Sequence, residues 1–323
     1  MDRCAASCED LPPLELRTLR ELKLSEPSGD GRPAHLCAGS GVVRRGDYAY
    51  VIGDDELFLA VFRLSAAHEP GTLQRALAGE LPLDHDARSD AKPDLEALTV
   101  LPPFGGHPFG ALLGLGSGSA PGRDRGFVWA LNADGSLRGE AREVDLAPVY
   151  ERLSEHIEAL NIEGASVIGD RLWLLQRGGA EDEAAGIVAE LSLEQVMDSL
   201  QRDLRIDPHE LAAMRAYDLG TLDGVPLTFS DATPVAQELL VFTASAEGAG
   251  HEIRGSVVGT LDRGGDVRRL WTIDRRYKVE GVHATIDTGV MDFLFVCDQD
   301  DPERPSPLLS AAMPVDGRHE RGG

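Results

Sequence analysis

Four carboxylates and one serine recur at matching places along this chain: Ser40, Glu96, Glu163, Asp231 and Glu280. Each opens a short apolar stretch that reads as a β-strand. In two cases glycine follows the acid at once, as in N-I-E-G-A-S-V and K-V-E-G-V-H-A. Carboxylates brought together repel one another and need a cation, neighbouring Arg or Lys, or a proton. Oxygen donors without His or Cys suit Ca2+ or Mg2+ rather than zinc, and Ca2+ is the expected ion. The expected ligand set is Glu96, Glu163, Asp231 and Glu280, with Asn161 two positions before Glu163. A structural reading stands beside it. The same acids can cap backbone amides of a neighbouring strand, hold ordered water, or pair with Lys278, Lys92 or Arg177.

Proton transfer has one main candidate. His283 lies three residues after Glu280 on the same strand and is the expected catalytic residue. His107 sits in a turn and His35 before the first strand; a lone histidine of this kind is more often structural. The ends of the following strands supply a second set of polar groups: Asp54, Asp55, Ser117, Ser119, Arg177, Ser245, Asp298 and Asp300. Ser40, Asp94, Arg177, Lys278 and Asp298 are expected at the mouth of a ligand site. Metalloprotease, phosphate-loop, dinucleotide and nucleophile-elbow motifs are missing, which argues against those chemistries.

The elements that must position these groups are repeated. Five segments share a grammar of a small or acidic residue, a short apolar strand, a turn, and a second, more apolar strand. Two further strands follow in most repeats, joined by turns such as A-D-G-S and D-R-G-G-D. Four antiparallel strands repeated five times predict an all-β fold, a single five-bladed β-propeller, with six blades as the alternative count. The fifth repeat lacks its outer strand. The stretch L-E-L-R-T-L-R-E-L-K-L before the first repeat is expected to supply it, closing the ring and removing two exposed edges. Residues 1–323 are read as one domain, with frayed tails at 1–12 and 315–323. First strands line the channel of such a fold, so the recurring acids converge on its axis. Helices are expected at 149–160, at 192–204, and in D-P-H-E-L-A-A-M, where Asp207 would cap and Pro208 begin the helix.

Composition narrows the partners. The 323 residues carry a formal charge of −24, which repels nucleic acid and anionic lipid and attracts cations. No stretch is long and apolar enough for a membrane span, and the N-terminus has no signal-peptide core. A cytoplasmic, bacterial monomer binding a small molecule is expected. Cys4, Cys8, Cys37 and Cys297 show no metal-type spacing and are read as free thiols. Of 31 basic residues only Lys23, Lys92 and Lys278 are lysine.

The acid–glycine step that opens an inner strand, at Glu163-Gly164 and Glu280-Gly281 and more loosely at Glu96-Ala97 and Asp231-Ala232, resembles two groups of propellers. One is the gluconolactonase and senescence-marker type, six-bladed, with a divalent cation held in the channel by carboxylate and amide side chains. The other is the phytase-like esterase group of bacterial propellers. The likeness implies a channel cation acting as Lewis acid in hydrolysis of a lactone or ester. The alternative is a propeller without catalytic activity that binds a small ligand or a protein on one face. Fold alone does not choose between them.

Overall fold

A computed structural model describes residues 12–178, 186–248, 253–265, 267–298 and 301–315. Cys4, Cys8 and Asp300 lie outside them, as do nearly all residues of both tails. Five antiparallel sheets follow one another along the chain. Blade I comprises Gly41–Arg45, Tyr48–Ile52, Phe58–Arg63 and Thr72–Arg75; blade II comprises Leu95–Leu101, Ala111–Gly116, Arg125–Ala130 and Arg142–Asp145. Blade III runs through Ile162–Ile168, Arg171–Gln176, Gly186–Ser192 and Leu211–Tyr217. Blade IV runs through Val225–Ala236, Leu239–Glu247, Ile253–Asp262 and Val267–Thr272, with the two-residue strand Thr221–Leu222 beside its first strand. Blade V has Lys278–Asp287, Val290–Asp298 and Pro307–Pro314, and its fourth strand is Arg17–Glu21 from the other end of the chain. The first strand of every blade packs against the first strands of both neighbours, so the five close into a ring. The chain is therefore a five-bladed β-propeller completed by its N-terminal strand.

Sequence chemistry explains the meander. The strands are runs of Val, Leu, Ile and aromatic residues, and tight turns join them. In blade V the connection between the first two strands is Thr288-Gly289, and both have positive φ, 46° and 80°. A two-residue hairpin with the native twist demands this geometry. The described core divides into five clusters, one at each junction between blades. Leu113 of blade II, for example, shares a cluster with Ala165 and Leu174 of blade III. Each sheet is thus buried on both faces by its neighbours.

Helices α1 (His85–Ala91), α2 (Ala147–Ser154) and α3 (Leu193–Asp203) lie in connections. The first lies between the Thr72–Arg75 and Leu95–Leu101 strands, capped by the Asp84 side chain. The second and third correspond to the two longer helical runs in the sequence. The expected helix at D-P-H-E-L-A-A-M does not form. Only Pro208–Glu210 is helical, as a single 3-10 turn, and Leu211 starts the outer strand of blade III. That strand pairs with Gly186–Leu191, with Ala212 left as an extra residue. The need to cover that edge overrides the local helix propensity of Leu, Ala and Met.

Candidate functional site

The inner strands place their acids through a repeated defect. Leu95 pairs with Gly116 and Ala97 with Leu115, leaving Glu96 as an extra residue. Glu163 is extra in blade III, between the Ile162–Gln176 and Gly164–Leu175 pairs. In blade V, Glu280 and Gly281 both fall in the shift between Val279 and Val282. Such a bulge leaves its residue unpaired and re-aims its side chain. In blade IV the extra residue is Ser230, because Phe229 pairs with Ala244 and Asp231 with Thr243. The sequence alignment that equates Asp231 with the glutamates is therefore one residue out of register there.

Glycine after the acid has a steric cause. A Cβ on Gly164 would stand 2.8 Å from the Cα of Asp231, and one on Gly281 would stand 2.8 Å from the Cα of Gly41. Both approaches are backbone of the next inner strand around the ring. The acid–glycine step is thus a point of close backbone approach between neighbouring blades, and the acid is the last side chain before that contact.

Glu96, Glu163 and Glu280 each bring an oxygen into a group whose members lie within 4.8 Å of one another. Carboxylate clusters near the axis thus form a group that could hold a metal ion. The three differ in how they are compensated. Glu163 accepts from Asn161 Nδ2 at 2.5 Å and pairs with Arg177 at 3.2 Å. Glu280 pairs with Lys278 at 3.1 Å, and Lys278 also reaches Asp298 at 2.9 Å. Glu96 makes no hydrogen bond or ion pair with any described residue. Burial, reinforced by Glu163, Asp54, Asp94 and Glu280, pushes its carboxyl well above the ordinary range. Burial also raises Glu163 to about 7; Arg177 opposes the rise and Glu280 adds to it.

A second group, Asp54, Asp94 and Glu96, has a cation of its own. The Lys92 ammonium lies 2.6 Å from Asp94 and also pairs with Asp54. Arg123 reaches Asp94 at 2.9 Å, and Ser117 donates to the same carboxylate at 2.5 Å. Burial acts to raise Asp94, yet Lys92, Ser117 and Arg123 hold it below the usual range. Asp94 has φ +55°, a left-handed conformation that Asp tolerates better than most residues. The strained backbone sits at the junction where Asp94 N–H meets the Asp54 carbonyl at 3.1 Å.

Asp231 stands apart from the group. It is fully buried, and its oxygens accept the Ala232 amide at 2.7 Å and the Val282 amide of blade V at 2.9 Å. Burial raises it well above the normal range despite those amides. This is the backbone-capping role weighed as the structural reading of the inner-strand acids.

These groups line one cavity of about 580 Å3 at the mouth of the channel. Its position follows from junction hydrogen bonds: Ser117 N–H to the Asp94 carbonyl, Ile162 N–H to the Ser117 carbonyl, and Gly39 N–H to the Cys297 carbonyl. Each joins the end of one blade's second strand to the start of an inner strand. Ser40, Asp54, Asp94, Ser119, Asn161, Arg177, Lys278 and Asp298 thereby come together with the three glutamates. Asp55 turns aside to Arg32 and Arg88, at 3.1 Å each. Ser245 lies beneath the surface in a hydroxyl chain with Ser230 and Ser256. Seven carboxylates and four cationic side chains line the cavity among the described residues, so it keeps an excess of negative charge.

His283 is not in that cavity. It lines a separate pocket with Arg17, Arg44 and Asp292. Burial, and then Arg44 and Arg45, lower it to about 4. His107 stacks on Phe104 with centroids 4.4 Å apart, and His35 contacts the Pro302 carbonyl at 3.0 Å. Arg123, Glu247 and Thr228 join the lining without a signal in the repeat: Arg123 comes from a loop, and Thr228 and Glu247 from the first and second strands of blade IV. Lys92 did carry one. Two of the only three lysines in an arginine-rich chain lie here, each clamped between two carboxylates. A compact ammonium fits such a clamp where a planar guanidinium is larger.

Residues 35–313 match a family of unknown function, DUF6929. The chain belongs to that family. No curated protein matches it significantly. Among solved structures, the propeller of Dos1 is 11% identical, with 93% of this chain and 75% of that one covered, at a TM-score of 0.37. The major Malassezia sympodialis allergen Mala s 1 is 10% identical, covering 88% of this chain and 96% of the other, at a TM-score of 0.47. Among the described residues no helix is long and apolar enough to cross a membrane.

Proposed function

We propose that the channel mouth holds a divalent cation, Ca2+ by preference, on Glu96, Glu163 and Glu280, and that it serves hydrolysis of a lactone or ester bound across the mouth. One observation carries this reading: Glu96 has no partner among the described residues, although it lies beside two further glutamates. Three hard oxygens in one group suit Ca2+ or Mg2+. The bound cation would act as a Lewis acid toward a carbonyl oxygen.

The chain's own residues would do the rest. Asn161 fixes Glu163 by its amide, and Arg177 and Lys278 hold Glu163 and Glu280 in place. Without a cation, burial raises Glu163 to about 7; a bound cation would keep it ionised as a ligand. His283 lines a different pocket and takes no part at the mouth in this reading. Ser40, Ser119 and Asp298 offer hydrogen bonds to a polar substrate in the same cavity.

A second reading has its own support. Asp54, Asp94, Glu163, Glu280 and Asp298 each already pair with Lys or Arg. That is the pattern of a mouth that binds a ligand without catalysis. One experiment separates the two. Chelator-treated protein is melted with and without Ca2+ or Mg2+, then assayed with lactones and aryl esters. The metal-hydrolase reading expects the melting temperature to rise by several degrees with cation, as a ligand well above its Kd requires, and turnover to appear with it. Glu96→Gln should abolish both. A melt that ignores cations, with no turnover, leaves the ligand-binding reading.

A further inference from the structure

A second group of ligand-type side chains lies far from the mouth in sequence and fold. Asp207, His209 and Glu210 occupy the single 3-10 turn between α3 and the outer strand of blade III. Each offers an atom to a group whose members lie within 4.8 Å of one another. Pro208 and the Glu210 N–H bond to the Asp207 carbonyl, 3.2 Å, set the turn. The turn packs against α2.

An acidic turn alone would mean little. Here Glu210 is only 1% exposed, and its Oε2 has no hydrogen-bond partner while Oε1 accepts from Ser199 at 2.5 Å. A buried carboxylate oxygen without a partner costs about 1–3 kcal/mol or more. Burial raises the Glu210 carboxyl above the ordinary range; a proton would remove the charge, and a cation would engage the oxygen directly. Asp207 is also buried, at 3%, whereas His209 is exposed and free to swing inward.

We infer that Asp207, His209 and Glu210 form a binding site for a borderline transition-metal cation of the zinc type, distinct from the channel mouth. One imidazole with two carboxylates is a donor set for zinc rather than calcium. Tetrahedral coordination at about 2.1 Å brings ligands to about 3.4 Å of one another, so the group contracts by at most about 1.4 Å. The exposed imidazole can supply that movement. Ser199 orients Glu210 as an outer partner, the support that ligating carboxylates commonly have. Arg202 and Arg205 now hold Asp207, at 3.2 and 2.7 Å. Their side chains are 58% and 46% exposed, so they can withdraw into water as the cation enters. Three protein ligands leave one position for water.

The test uses full-length protein without a histidine tag. Zinc is titrated calorimetrically at neutral pH into the wild type, His209→Ala and Glu163→Gln, and cobalt is added to read its visible ligand-field spectrum. One equivalent of zinc should bind to the wild type and to Glu163→Gln. His209→Ala, an exposed change that leaves the fold intact by circular dichroism, should weaken binding at least tenfold and abolish the cobalt bands. Absence of zinc binding to the wild type, or unchanged binding to His209→Ala, would overturn the inference. Loss in Glu163→Gln alone would do so too, by moving the zinc to the channel mouth.

Discussion

Asp231 and Glu96 are both acids on inner strands, one register position apart; the first is fully buried and the second lines the channel mouth, partly buried. Asp231 hands its oxygens to two backbone amides, one of them from the next blade. Glu96 faces two other glutamates and has no partner among the described residues. The first acid staples blade IV to blade V. The second leaves a charge for something else to neutralise. The role of a buried carboxylate is set less by its place in a repeat than by the groups that answer it.

Four changes press on that contrast. The largest effect is expected from Asp231→Ala, which strands the Val282 and Ala232 amides and opens a cavity. It should cost about 3 kcal/mol or more in urea denaturation while leaving any response to Ca2+ intact. If the cation response vanished with it in folded protein, the separation between staple and ligand would fail. Next comes Gly164→Ala, which forces a Cβ against the Asp231 backbone and should cost about 2 kcal/mol. Blade II carries alanine at the matching position, so Ala97→Gly should cost no more than about 1 kcal/mol. Equal costs at both sites would show that the close approach is not what selects glycine.

The smallest effect concerns pH. Glu163 titrates near 7 when folded against an ordinary value of 4.5, so the folded chain binds that proton more tightly. In chelator, the stability from this proton is complete below about pH 4.5 and declines as pH rises toward 7. Glu96→Gln removes one titrating partner of the pair. It should make the decline shallower and raise stability at pH 8 by about 1 kcal/mol. A melting profile for the variant that overlays the wild type across this range would argue that Glu96 is already neutralised.

Much of the architecture was legible in the sequence. The two-strand grammar, the missing outer strand of the fifth repeat and the spare strand at 17–21 all reflect hydrophobic runs and turn residues, which act locally. Register was less legible. A bulge adds one residue and swaps the faces of everything beyond it, so Ser230 and Asp231 look interchangeable until the pairing with Ala244 and Thr243 is seen. The polar groups of the mouth at strand ends were readable because the repeat positions them. Arg123 and Glu247 were not, since their places depend on where loops and strand ends return in space. His283 misled for a related reason: three residues along a bulged strand lead to another pocket. The helix expected after Pro208 failed because an unpaired sheet edge outweighs intrinsic propensity.

The strand Arg17–Glu21 is made before every other strand of the ring, and its partner Pro307–Pro314 after them. During synthesis the early strand has to wait, unpaired, until the other blades have been made. Its pattern suits the delay: four of its five residues remain exposed even in the finished ring. Two arginines and a glutamate in five positions make a poor template for joining another chain. The fold therefore carries a built-in order of assembly, with four blades free to form from local hairpins and blade V completed late, by a strand pairing of very long range. A ribosome-bound fragment ending before residue 307 would hold four complete blades and the first two strands of blade V, without the strand that Arg17–Glu21 pairs with.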